Sequence, residues 1–341
     1  MNEEAIWQNY LPVGFTARPS ILADAAAATE VFNAAAIKYS GQPAFGLDQT
    51  INFWKSPGFD MAQSSRVILA PDGRMAAQVD VDDTMSVPVA PRIWGRVHPD
   101  YEGMGIGTAV LVWAEQRARA VFGRVPAEAQ VQLLVLGIPE TAVSTHQLLQ
   151  KLSFRHVRDF YRMVIEFDHE PPLPVWPPGI TLSNMAERPD YVPVAAAREE
   201  AFQDHWGHVS VPLPDAVENL RHWLENDLLH EPDGELLAMA GEEVAGLCLC
   251  RMGEYSDPDM GWVSVLAVRR PYRGQGLGKA LLQQSFCQFY TRGFKRAGLQ
   301  VDAQSLTGAT RLYEKAGMRV QERVLDFEKE LRPGKNMTTH N

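Results

Sequence analysis

Apolar and polar residues alternate along the chain in segments of helical and strand-like spacing. In the first half, apolar residues recur at helical intervals over 20–39, which predicts a helix with Ser20 as its N-cap. The polar region after it, which contains glycine and proline, predicts a loop to about residue 65. A Pro-Asp-Gly turn at 71–73 joins two short apolar runs and predicts an antiparallel hairpin over 66–79. The elements predicted after it are a helix over 108–118, a buried strand over 131–136, a helix over 141–152 and an alternating strand over 156–167.

The second half repeats this order of elements. Its predicted elements are helices over 190–202 and 214–226, strands over 236–240 and 244–250, a strand over 298–301, a helix over 307–316 and a last strand over 319–327. Gly317 closes the last helix. Each half therefore runs helix, hairpin, strand, glycine turn, helix, strand, helix, strand, which is an α/β arrangement.

A proline-rich stretch separates the two halves. The prolines of 170–179 cannot continue a helix or a central strand, so this stretch predicts a stiff, extended connection. The domains predicted from it are an N-terminal domain over 1–168, a linker over 169–179, a C-terminal domain over 180–332 and a tail over 333–341.

One glycine-rich turn occurs in both halves at matching spacing. In each half a predicted strand ends at a valine, and glycines follow that valine after eight and ten residues. These residues are Val97, Gly105 and Gly107 in the first half and Val268, Gly276 and Gly278 in the second. The offset of 171 residues (268 − 97) is too long for a solenoid period and fits two whole domains of similar fold.

The turn in the second half is suited to hold an anion. Its glycines let backbone N–H groups approach a ligand closely, and the helix after it adds unpaired donors and a positive dipole end. Arg273 adds a full positive charge. A dinucleotide loop would need a glycine at Lys279, and a Walker A loop would need one at Arg273, so neither pattern fits. An ordinary tight strand-to-helix turn is the alternative.

Composition and charge narrow the class of protein. The net charge of −10 disfavours a binder of nucleic acid or acidic membrane, because such proteins generally carry a basic surface. Only three cysteines occur, without a CxxC pair, which indicates a reducing, cytoplasmic setting. Residues 1–10 lack the pattern of a leader peptide, and the apolar runs are too short to span a bilayer. We therefore predict no targeting segment and no membrane role.

Two motifs in the second half resemble a known family. The segment 273–278 reads Arg-x-x-Gly-x-Gly, and the later segment 312–317 reads Leu-Tyr-Glu-Lys-Ala-Gly. In this order they resemble the GCN5-related N-acetyltransferase (GNAT) superfamily, of the tandem-domain type similar to mycothiol synthase. The resemblance implies two domains, each a mixed, mostly antiparallel sheet flanked by helices. It also implies acetyl-CoA as co-substrate and direct acetyl transfer to a primary amine of a small molecule or peptide. The short cluster of Asp204, His205 and His208 has no supporting thiol and no HExxH spacing, so we predict no metal site.

The resemblance assigns roles to individual positions. In the family, the turn holds the pyrophosphate, and the strand before it offers backbone groups to the thioester and pantetheine. By position, these roles fall on Val265, Leu266, Ala267, Val268, Arg273, Gly274, Gln275, Gly276, Leu277, Gly278 and Lys279. Ser305 stands where the family often has an asparagine near the cofactor. Tyr313 occupies the position of the general acid that protonates the CoA sulfur. A core tyrosine is the alternative, since Tyr313 also lies on an apolar helical stripe.

Few residues in the sequence indicate where the amine acceptor binds. Asp204 and His205 follow a predicted helix, at a position where the superfamily usually shapes the acceptor pocket. A histidine there could serve as base or lead a proton out through water, although loop and surface roles are the alternative. Mycothiol synthase-like enzymes can use a carboxylate in the strand before the turn, and that position is Trp262 by spacing. The acidic balance favours a cationic acceptor. The residues specify neither its identity nor the oligomeric state.

The first half departs from the family pattern at two positions. Glu102 stands in place of Arg273, and a carboxylate beside the proposed pyrophosphate would disfavour binding. Leu149 stands in place of Tyr313, so no phenol is available. We therefore expect catalysis in the C-terminal domain and a catalytically silent N-terminal domain. Two alternatives stay open: a non-catalytic acyl-CoA sensor or scaffold, and a transferase that uses another acyl-CoA.

Overall fold

The computed structural model describes residues 3–305 and 308–339. The chain forms two compact units, and each is assembled from two stretches of sequence. Unit 1 consists of Met1–Arg158 and Val324–Met337, and unit 2 of Asp159–Arg323 and Thr338–Asn341. The limits predicted from the proline-rich stretch, 1–168 and 180–332, remain a proposal about the separate domains.

Helices alternate with strands in both units. The described α-helices are Ala25–Ser40 (α1), Leu47–Trp54 (α2), Met61–Ser64 (α3), Ile106–Ala118 (α4), Val143–Lys151 (α5), Tyr191–Phe202 (α6), Leu213–Asn226 (α7), Leu277–Thr291 (α8) and Ala309–Lys315 (α9). Among the helices of the described residues, none has the length and apolar character needed to cross a membrane.

Among the described strands, the last one of each half of the sequence is the longest of that half. They are Thr16–Arg18 (β1), Ser65–Leu69 (β2), Met75–Asp82 (β3), Arg92–Val97 (β4), Val131–Pro139 (β5), Arg155–Glu166 (β6), Ile180–Asn184 (β7), Leu236–Ala240 (β8), Glu243–Arg251 (β9), Met260–Val268 (β10), Arg296–Asp302 (β11) and Arg319–Arg332 (β12).

The sheets of the two units have the same kind of topology. The order in unit 1 is β1-β2-β3-β4-β5-β12, with antiparallel neighbours except the parallel pair β4 and β5. The order in unit 2 is β7-β8-β9-β10-β11-β6, with antiparallel neighbours except the parallel pair β10 and β11. Both are mixed, mostly antiparallel sheets flanked by helices, so the predicted fold class is confirmed.

Unit 2 buries both faces of its sheet. On β8, Leu236 and Ala238 belong to the core that contains the inner face of α8, whereas Leu237 and Met239 belong to the core under α6 and α7. Successive side chains of a strand point to opposite faces, so a strand covered on both sides must be apolar throughout. The continuous apolar run of β8 satisfies this requirement.

The structure confirms most predicted elements and corrects two. Strands β2 and β3 form the predicted hairpin, and Asp190 caps α6 by accepting a hydrogen bond from the N–H of Val192. Ser20 does not cap the first helix: a 3₁₀ turn precedes α1, and the Ser20 hydroxyl instead hydrogen-bonds that of Ser65 at 2.5 Å. The polar region before 65 was expected to be loop but contains α2 and α3. The predicted helix start at Thr307 lies outside the described residues.

Candidate active site

The candidate site of unit 2 begins where two parallel strands separate. Strands β10 and β11 pair from Met260 with Arg296 to Val263 with Leu299. After Val263, β10 stays paired with β9, and no further pairing with β11 occurs among the described residues. A β-bulge at Ser264 marks the point of separation. One edge of β10 beyond this point therefore carries backbone N–H and C=O groups that β11 does not occupy.

The glycine turn lies at the end of this open edge. Gly274 and Gly276 have φ angles of 74° and 87°, in the left-handed region that L-residues with a side chain rarely adopt. Gly276 is the N-cap of α8, and a Cβ on it would meet nothing within 4 Å. The first N–H groups of α8 and the positive end of its dipole therefore open onto space that an anion can occupy.

A cavity of about 660 Å³ joins the open strand edge to the glycine turn. Its size is that of a typical cofactor pocket. Most of the residues singled out in the sequence line it: Asp204, His205, Val265, Leu266, Ala267, Val268, Arg273, Gly274, Gly276, Leu277, Gly278, Lys279, Ser305 and Tyr313. Gln275 and Trp262 are not among the lining residues. The Gln275 amide donates to the carbonyl of Pro271, and the Trp262 ring lies 4.5 Å from the Arg162 guanidinium.

Tyr313 reaches the cavity from α9. The residue is 7% exposed, and burial raises the pKa of its phenol well above the ordinary value. Among the described residues, no protein group hydrogen-bonds its hydroxyl. A neutral phenol that faces a cavity without a protein partner can donate its proton to a ligand atom.

Arg273 is held by protein groups in this structure. Its Nη1 lies 2.5 Å from a carboxylate oxygen of Asp204, its Nη2 donates to the Ala201 carbonyl at 2.7 Å, and its Nε donates to the Val268 carbonyl at 3.1 Å. The hydrogen bond from Arg273 lowers the pKa of Asp204. The Arg273 guanidinium thus connects the end of α6 to the end of β10. These contacts hold in place the glycine turn that carries Arg273.

His205 supplies a basic nitrogen to the same cavity. Its ring packs edge-on against Phe202 with a centroid separation of 4.4 Å. Burial lowers the pKa of His205, an effect that Asp204 partly opposes. A histidine with a pKa below its ordinary value is neutral near pH 7, which is the form that accepts a proton.

Sequence reasoning missed Ser264. Its hydroxyl oxygen is buried, has no hydrogen-bond partner among the described residues, and belongs to a residue that lines the cavity at the strand separation. A buried hydroxyl without a partner is costly unless a ligand completes it. No local sequence pattern predicts Ser264 as a site residue, because its position depends on the β-bulge and the bulge is defined by the pairing of β10 with β9. Phe160, Gln300 and Asp302 also line the cavity from neighbouring strands.

Comparison with known proteins identifies the family of this fold and site. A model of the acetyltransferase (GNAT) family matches residues 194–318. The crystal structure of a GCN5-related N-acetyltransferase from Sphaerobacter thermophilus has a TM-score of 0.77 and 34% sequence identity, and the match covers 96% of this chain and 98% of that one. The chain belongs to the GCN5-related N-acetyltransferase family. It is therefore an acyltransferase, and enzymes of this family use acetyl-CoA.

Other relatives agree with this assignment. Mycothiol acetyltransferase from Streptomyces scabiei is 29% identical over 256 residues, which are 74% of this chain and 75% of that protein. The enzyme of the same name from Streptomyces bingchenggensis is 27% identical over 262 residues, or 76% of this chain and 79% of that protein. A tandem GNAT protein from the clavulanic acid biosynthesis pathway shares the fold, with a TM-score of 0.68, 15% identity and coverage of 94% of this chain and 100% of that one.

Unit 1 of this acetyltransferase contains a second cleft with the same backbone plan. In the described part of the chain, strands β4 and β5 pair at Arg92 with Leu134 and at Ile93 with Val135, after which they separate. Gly105 is the N-cap of α4 with φ of 90°, close to the 87° of Gly276. The cleft holds a cavity of about 390 Å³. The glycine turn and the open strand edge are therefore present twice in the chain.

The side chains of the unit 1 cleft differ from those of unit 2. Glu102 accepts hydrogen bonds from the Lys38 ammonium at 2.6 Å and from the Tyr39 hydroxyl at 2.9 Å. The charge of Glu102 is therefore paired with the Lys38 ammonium. Leu149 is fully buried on α5, at the position that corresponds to Tyr313. Arg96 lines the cavity on the strand edge, where unit 2 has Ala267.

The described residues provide no grouping of metal ligands in either unit. No set of three or more His, Cys, Asp or Glu side chains is placed to hold a metal ion within 3–305 and 308–339. Cys248 and Cys250 are buried free thiols on one face of β9, with sulfur atoms 3.7 Å apart. They belong to the core between the sheet and α8.

Proposed function

We propose that unit 2 transfers an acetyl group from acetyl-CoA directly to a primary amine of a small molecule or peptide. The observation that carries this proposal is the single cavity in which an open strand edge, a glycine turn and the unpartnered Tyr313 hydroxyl meet. The cleft of unit 1 has the first two features but has Leu149 in place of the phenol. We therefore assign catalysis to the second unit.

The phosphates of acetyl-CoA have a matching set of donors at the glycine turn. The N–H groups at the start of α8 face the cavity, and Lys279 also lines it. Backbone donors and a helix dipole favour phosphate at this position. Arg273 contributes chiefly by holding the turn, since protein acceptors already engage its three nitrogens.

The thioester is proposed to lie along the open edge of β10. Peptide groups between Ser264 and Val268 can hydrogen-bond a pantetheine amide and polarise the thioester carbonyl. The buried hydroxyl of Ser264 is available as a donor at the point where the strands separate. We propose that Ser264 positions either the thioester oxygen or the incoming amine.

The reaction requires one bond to form and one to break. The neutral amine nitrogen attacks the thioester carbon, a C–N bond forms, and the C–S bond breaks. The neutral ring of His205 can accept the proton released by the amine, directly or through one water. Tyr313 donates a hydrogen bond to the departing sulfur and supplies the proton that completes the thiol. Transfer is direct, and no enzyme-bound acetyl group is required.

We propose a cationic amine as the class of acceptor. The acidic net charge of −10 favours a cationic amine, and Asp204 and Asp302 both line the cavity. Relatives named mycothiol acetyltransferase support a small-molecule acceptor. Because the glycine turn contacts the phosphates and not the acyl group, other acyl-CoA donors belong in the same test.

The test is a thiol-release assay with acetyl-CoA and a mixed panel of small-molecule and peptide amines, with mass spectrometry of the products. We expect release of the CoA thiol together with an acetylated amine. Tyr313→Phe should lower kcat about 100-fold, the usual contribution of a general acid, while acetyl-CoA binding stays nearly unchanged. Tyr290→Phe is the matched control, because Tyr290 is 37% exposed and lies outside the cavity.

Two results would contradict the proposal. Acetyl-CoA binding without thiol release across the whole panel would favour the sensor or scaffold instead. Equal kcat values for the wild-type enzyme and Tyr313→Phe would remove Tyr313 from the mechanism. Repeating the panel with propionyl-CoA and succinyl-CoA then shows whether acetyl is the preferred acyl group.

A further inference from the structure

Unit 1 contains a small cavity of about 210 Å³ that is separate from its glycine-turn cleft. Five of its ten lining residues are aromatic: Phe32, Phe45, Phe53, Trp54 and Trp94. The Phe32 and Phe45 rings meet edge-to-face with centroids 5.2 Å apart. Such a wall presents several ring faces and edges to one small space. Aromatic faces attract cations within about 6 Å of the ring centroid.

A carboxylate lies among these aromatic rings. Asp80 lines the cavity from β3 and is only 3% exposed. Its two oxygens accept hydrogen bonds from the Trp54 indole at 3.0 Å and from the Gln78 amide at 2.6 Å. Both donors are neutral. Among the described residues, no nitrogen of Lys, Arg or His lies within 4.0 Å of the Asp80 carboxylate.

A buried carboxylate without a counter-ion is expensive for a fold. Desolvation raises the pKa of Asp80 to about 7, and the nearby Asp82 acts in the same direction. Neutral hydrogen-bond donors offset part of the desolvation cost of the anion and leave its charge unpaired. A ligand that carries a positive charge would supply the missing partner.

The corresponding face of unit 2 has none of these features. In unit 1 the cross-strand pairs on this face are Asp80 with Trp94 and Gln78 with Arg96. The pairs at the corresponding place in unit 2 are Leu249 with Val265 and Leu247 with Ala267. All four of these unit 2 residues are packed in the core beneath α6 and α7. The same place in the fold is thus apolar core in one unit and an aromatic cavity with a carboxylate in the other.

Arg96 lies close to one side of the aromatic cavity and would repel a cation there. Its guanidinium lies 5.5 Å from the centroid of the Phe32 ring and donates to the carbonyl of Gly95. Arg96 lines the larger glycine-turn cavity and not the aromatic one. A cation is therefore favoured beside Asp80 and disfavoured at the Phe32 side of the aromatic cavity, because the Arg96 guanidinium lies against that ring.

We propose that unit 1 binds a small organic ammonium ion in this cavity, with its charge at Asp80 and its apolar body against the rings of Phe53, Trp54 and Trp94. The carboxylate provides the charge complement and an acceptor for the ammonium protons, and the rings provide apolar and cation–π contact. This binding site is independent of acetyl transfer in unit 2 and requires no reaction in unit 1.

The probe is benzylammonium, with benzyl alcohol as its uncharged counterpart. A cavity of about 150 Å³ can hold benzene, so a benzyl group is of suitable size. We expect calorimetry on the full chain to show saturable binding of benzylammonium and at least about tenfold weaker binding of benzyl alcohol. Asp80→Asn should weaken benzylammonium about tenfold or more and leave benzyl alcohol unchanged, because it removes the charge and keeps the shape.

Two further variants keep the result interpretable. Trp94→Leu should weaken both probes, because it removes part of the aromatic wall. Asp82→Asn is the matched control on the same face of β3, since Asp82 does not line the cavity. The absence of saturable benzylammonium binding up to about 10 mM, or equal affinity for the wild-type protein and Asp80→Asn, would overturn the proposal. Loss of binding in Tyr313→Phe would show that the probe occupies unit 2 and would also overturn it.

Discussion

The two glycine-turn clefts share a backbone and differ in side chains. In both, parallel strands separate after a short pairing, and an N-cap glycine with φ near 90° opens a helix. Unit 2 adds the Tyr313 phenol and the His205 imidazole to its cavity, whereas the phenol that lines the unit 1 cavity, Tyr39, donates its proton to Glu102 in a hydrogen bond. The comparison teaches that the anion-holding part of the site is a property of the fold, whereas the proton-transfer part belongs to individual side chains.

In both clefts an ion pair connects the glycine turn to the preceding helix region, but the positions of the positive and the negative residue are exchanged. In unit 2 the turn supplies the cation Arg273, and Asp204 after α6 supplies the anion. In unit 1 the turn supplies the anion Glu102, and Lys38 near the end of α1 supplies the cation. Either polarity can secure the turn to the preceding helix. The polarity matters when a phosphate approaches, because the turn charge is then positive in one cleft and negative in the other.

The largest expected effect comes from breaking the two turns separately. Gly276→Ala places an L-residue at φ 87°, which strains the backbone by about 1–2 kcal/mol, and puts a methyl group at the cavity wall. We expect kcat/KM for acetyl-CoA to fall about 100-fold or more. Gly105→Ala has a similar backbone strain at φ 90° in unit 1, and its Cβ would also lie 3.0 Å from the Tyr10 carbonyl oxygen; it should nevertheless leave kcat/KM unchanged. Steady-state kinetics on both variants measure the difference.

A substitution at a third glycine tests whether backbone strain alone lowers activity. Gly293 also has φ of 90°, lies outside the cavity, and has nothing within 4 Å of an added Cβ. Gly293→Ala should therefore lose stability without losing kcat/KM. Equal losses of activity in Gly276→Ala and Gly105→Ala would mean that both clefts take part in the reaction, and the proposed division between the units would fail.

Local sequence patterns predicted the parts of both clefts that depend on neighbouring residues. Glycine spacing located the two turns, apolar alternation located the strands on either side, and the hairpin followed from one Pro-Asp-Gly turn. Such features need only a few adjacent residues to be specified. The family resemblance then placed Tyr313 on a helix, and in the structure this residue lines the same cavity as the turn.

The remaining features depend on residues that are far apart in sequence. Arg273 pairs with Asp204, 69 residues earlier, and the bulge at Ser264 is defined only relative to β9. Asp80 lies just beyond the hairpin predicted over 66–79, and its unusual position appears only when α1 and α2 cover β3. Periodicity reports which face of an element is apolar. It does not report which distant element covers that face.

The second prediction concerns the stability of unit 1. The pKa of Asp80 is raised to about 7 in the folded state, above its unfolded value of 3.8. Its protonated form therefore favours the fold, and this contribution is present below pH 3.8 and lost as pH rises through 7. Asp80→Asn removes the ionisable carboxyl group and with it this loss of stability at high pH. Urea unfolding should show a gain in unfolding free energy that is about 2–3 kcal/mol larger at pH 8 than at pH 5.

Unit 2 and the neighbouring carboxylate provide the controls for this measurement. Leu249, at the corresponding place in unit 2, carries no charge, so no equivalent titration arises at that place. Asp82→Asn should reproduce only a small part of the difference between the two pH values, because Asp82 is a minor cause of the raised Asp80 pKa. A gain in Asp80→Asn that is the same at pH 5 and pH 8 would show that ionisation of Asp80 is not its cause.

The third prediction exchanges the polarity of the unit 2 ion pair. Arg273→Glu combined with Asp204→Lys imitates the Glu102 and Lys38 pair of unit 1. The turn should remain secured, and the Tm should change less than in Arg273→Glu alone. Acetyl-CoA should bind about tenfold more weakly, because an anion now stands at the phosphate side. Calorimetric titration with acetyl-CoA measures this loss.

The reverse exchange in unit 1 is its control. Glu102→Lys combined with Lys38→Glu should leave turnover and the KM for acetyl-CoA unchanged, since catalysis is assigned to unit 2. Unchanged acetyl-CoA affinity in the unit 2 exchange would show that backbone N–H groups alone hold the phosphates. In that case Arg273 would be purely structural, and the contrast in polarity would carry no functional meaning.

The smallest expected effect tests the histidine that only the unit 2 cleft contains. Burial lowers the pKa of His205, so the neutral form is present above that pKa and is lost as pH falls through it. The acidic limb of kcat/KM should therefore lie below the ordinary histidine pKa of about 6.5. His205→Asn should lower kcat/KM about threefold to tenfold above pH 7 and remove this limb, while water takes over proton acceptance.

His169→Asn is the matched control for this pH profile, because His169 is an exposed histidine outside the cavity. The decisive quantity is the acidic limb and not the absolute rate, since a purely structural role of His205 would lower the rate at every pH. An acidic limb that persists unchanged in His205→Asn would assign the titrating group elsewhere in the cavity. The unit 2 cleft would then differ functionally from the unit 1 cleft through Tyr313 and not through His205.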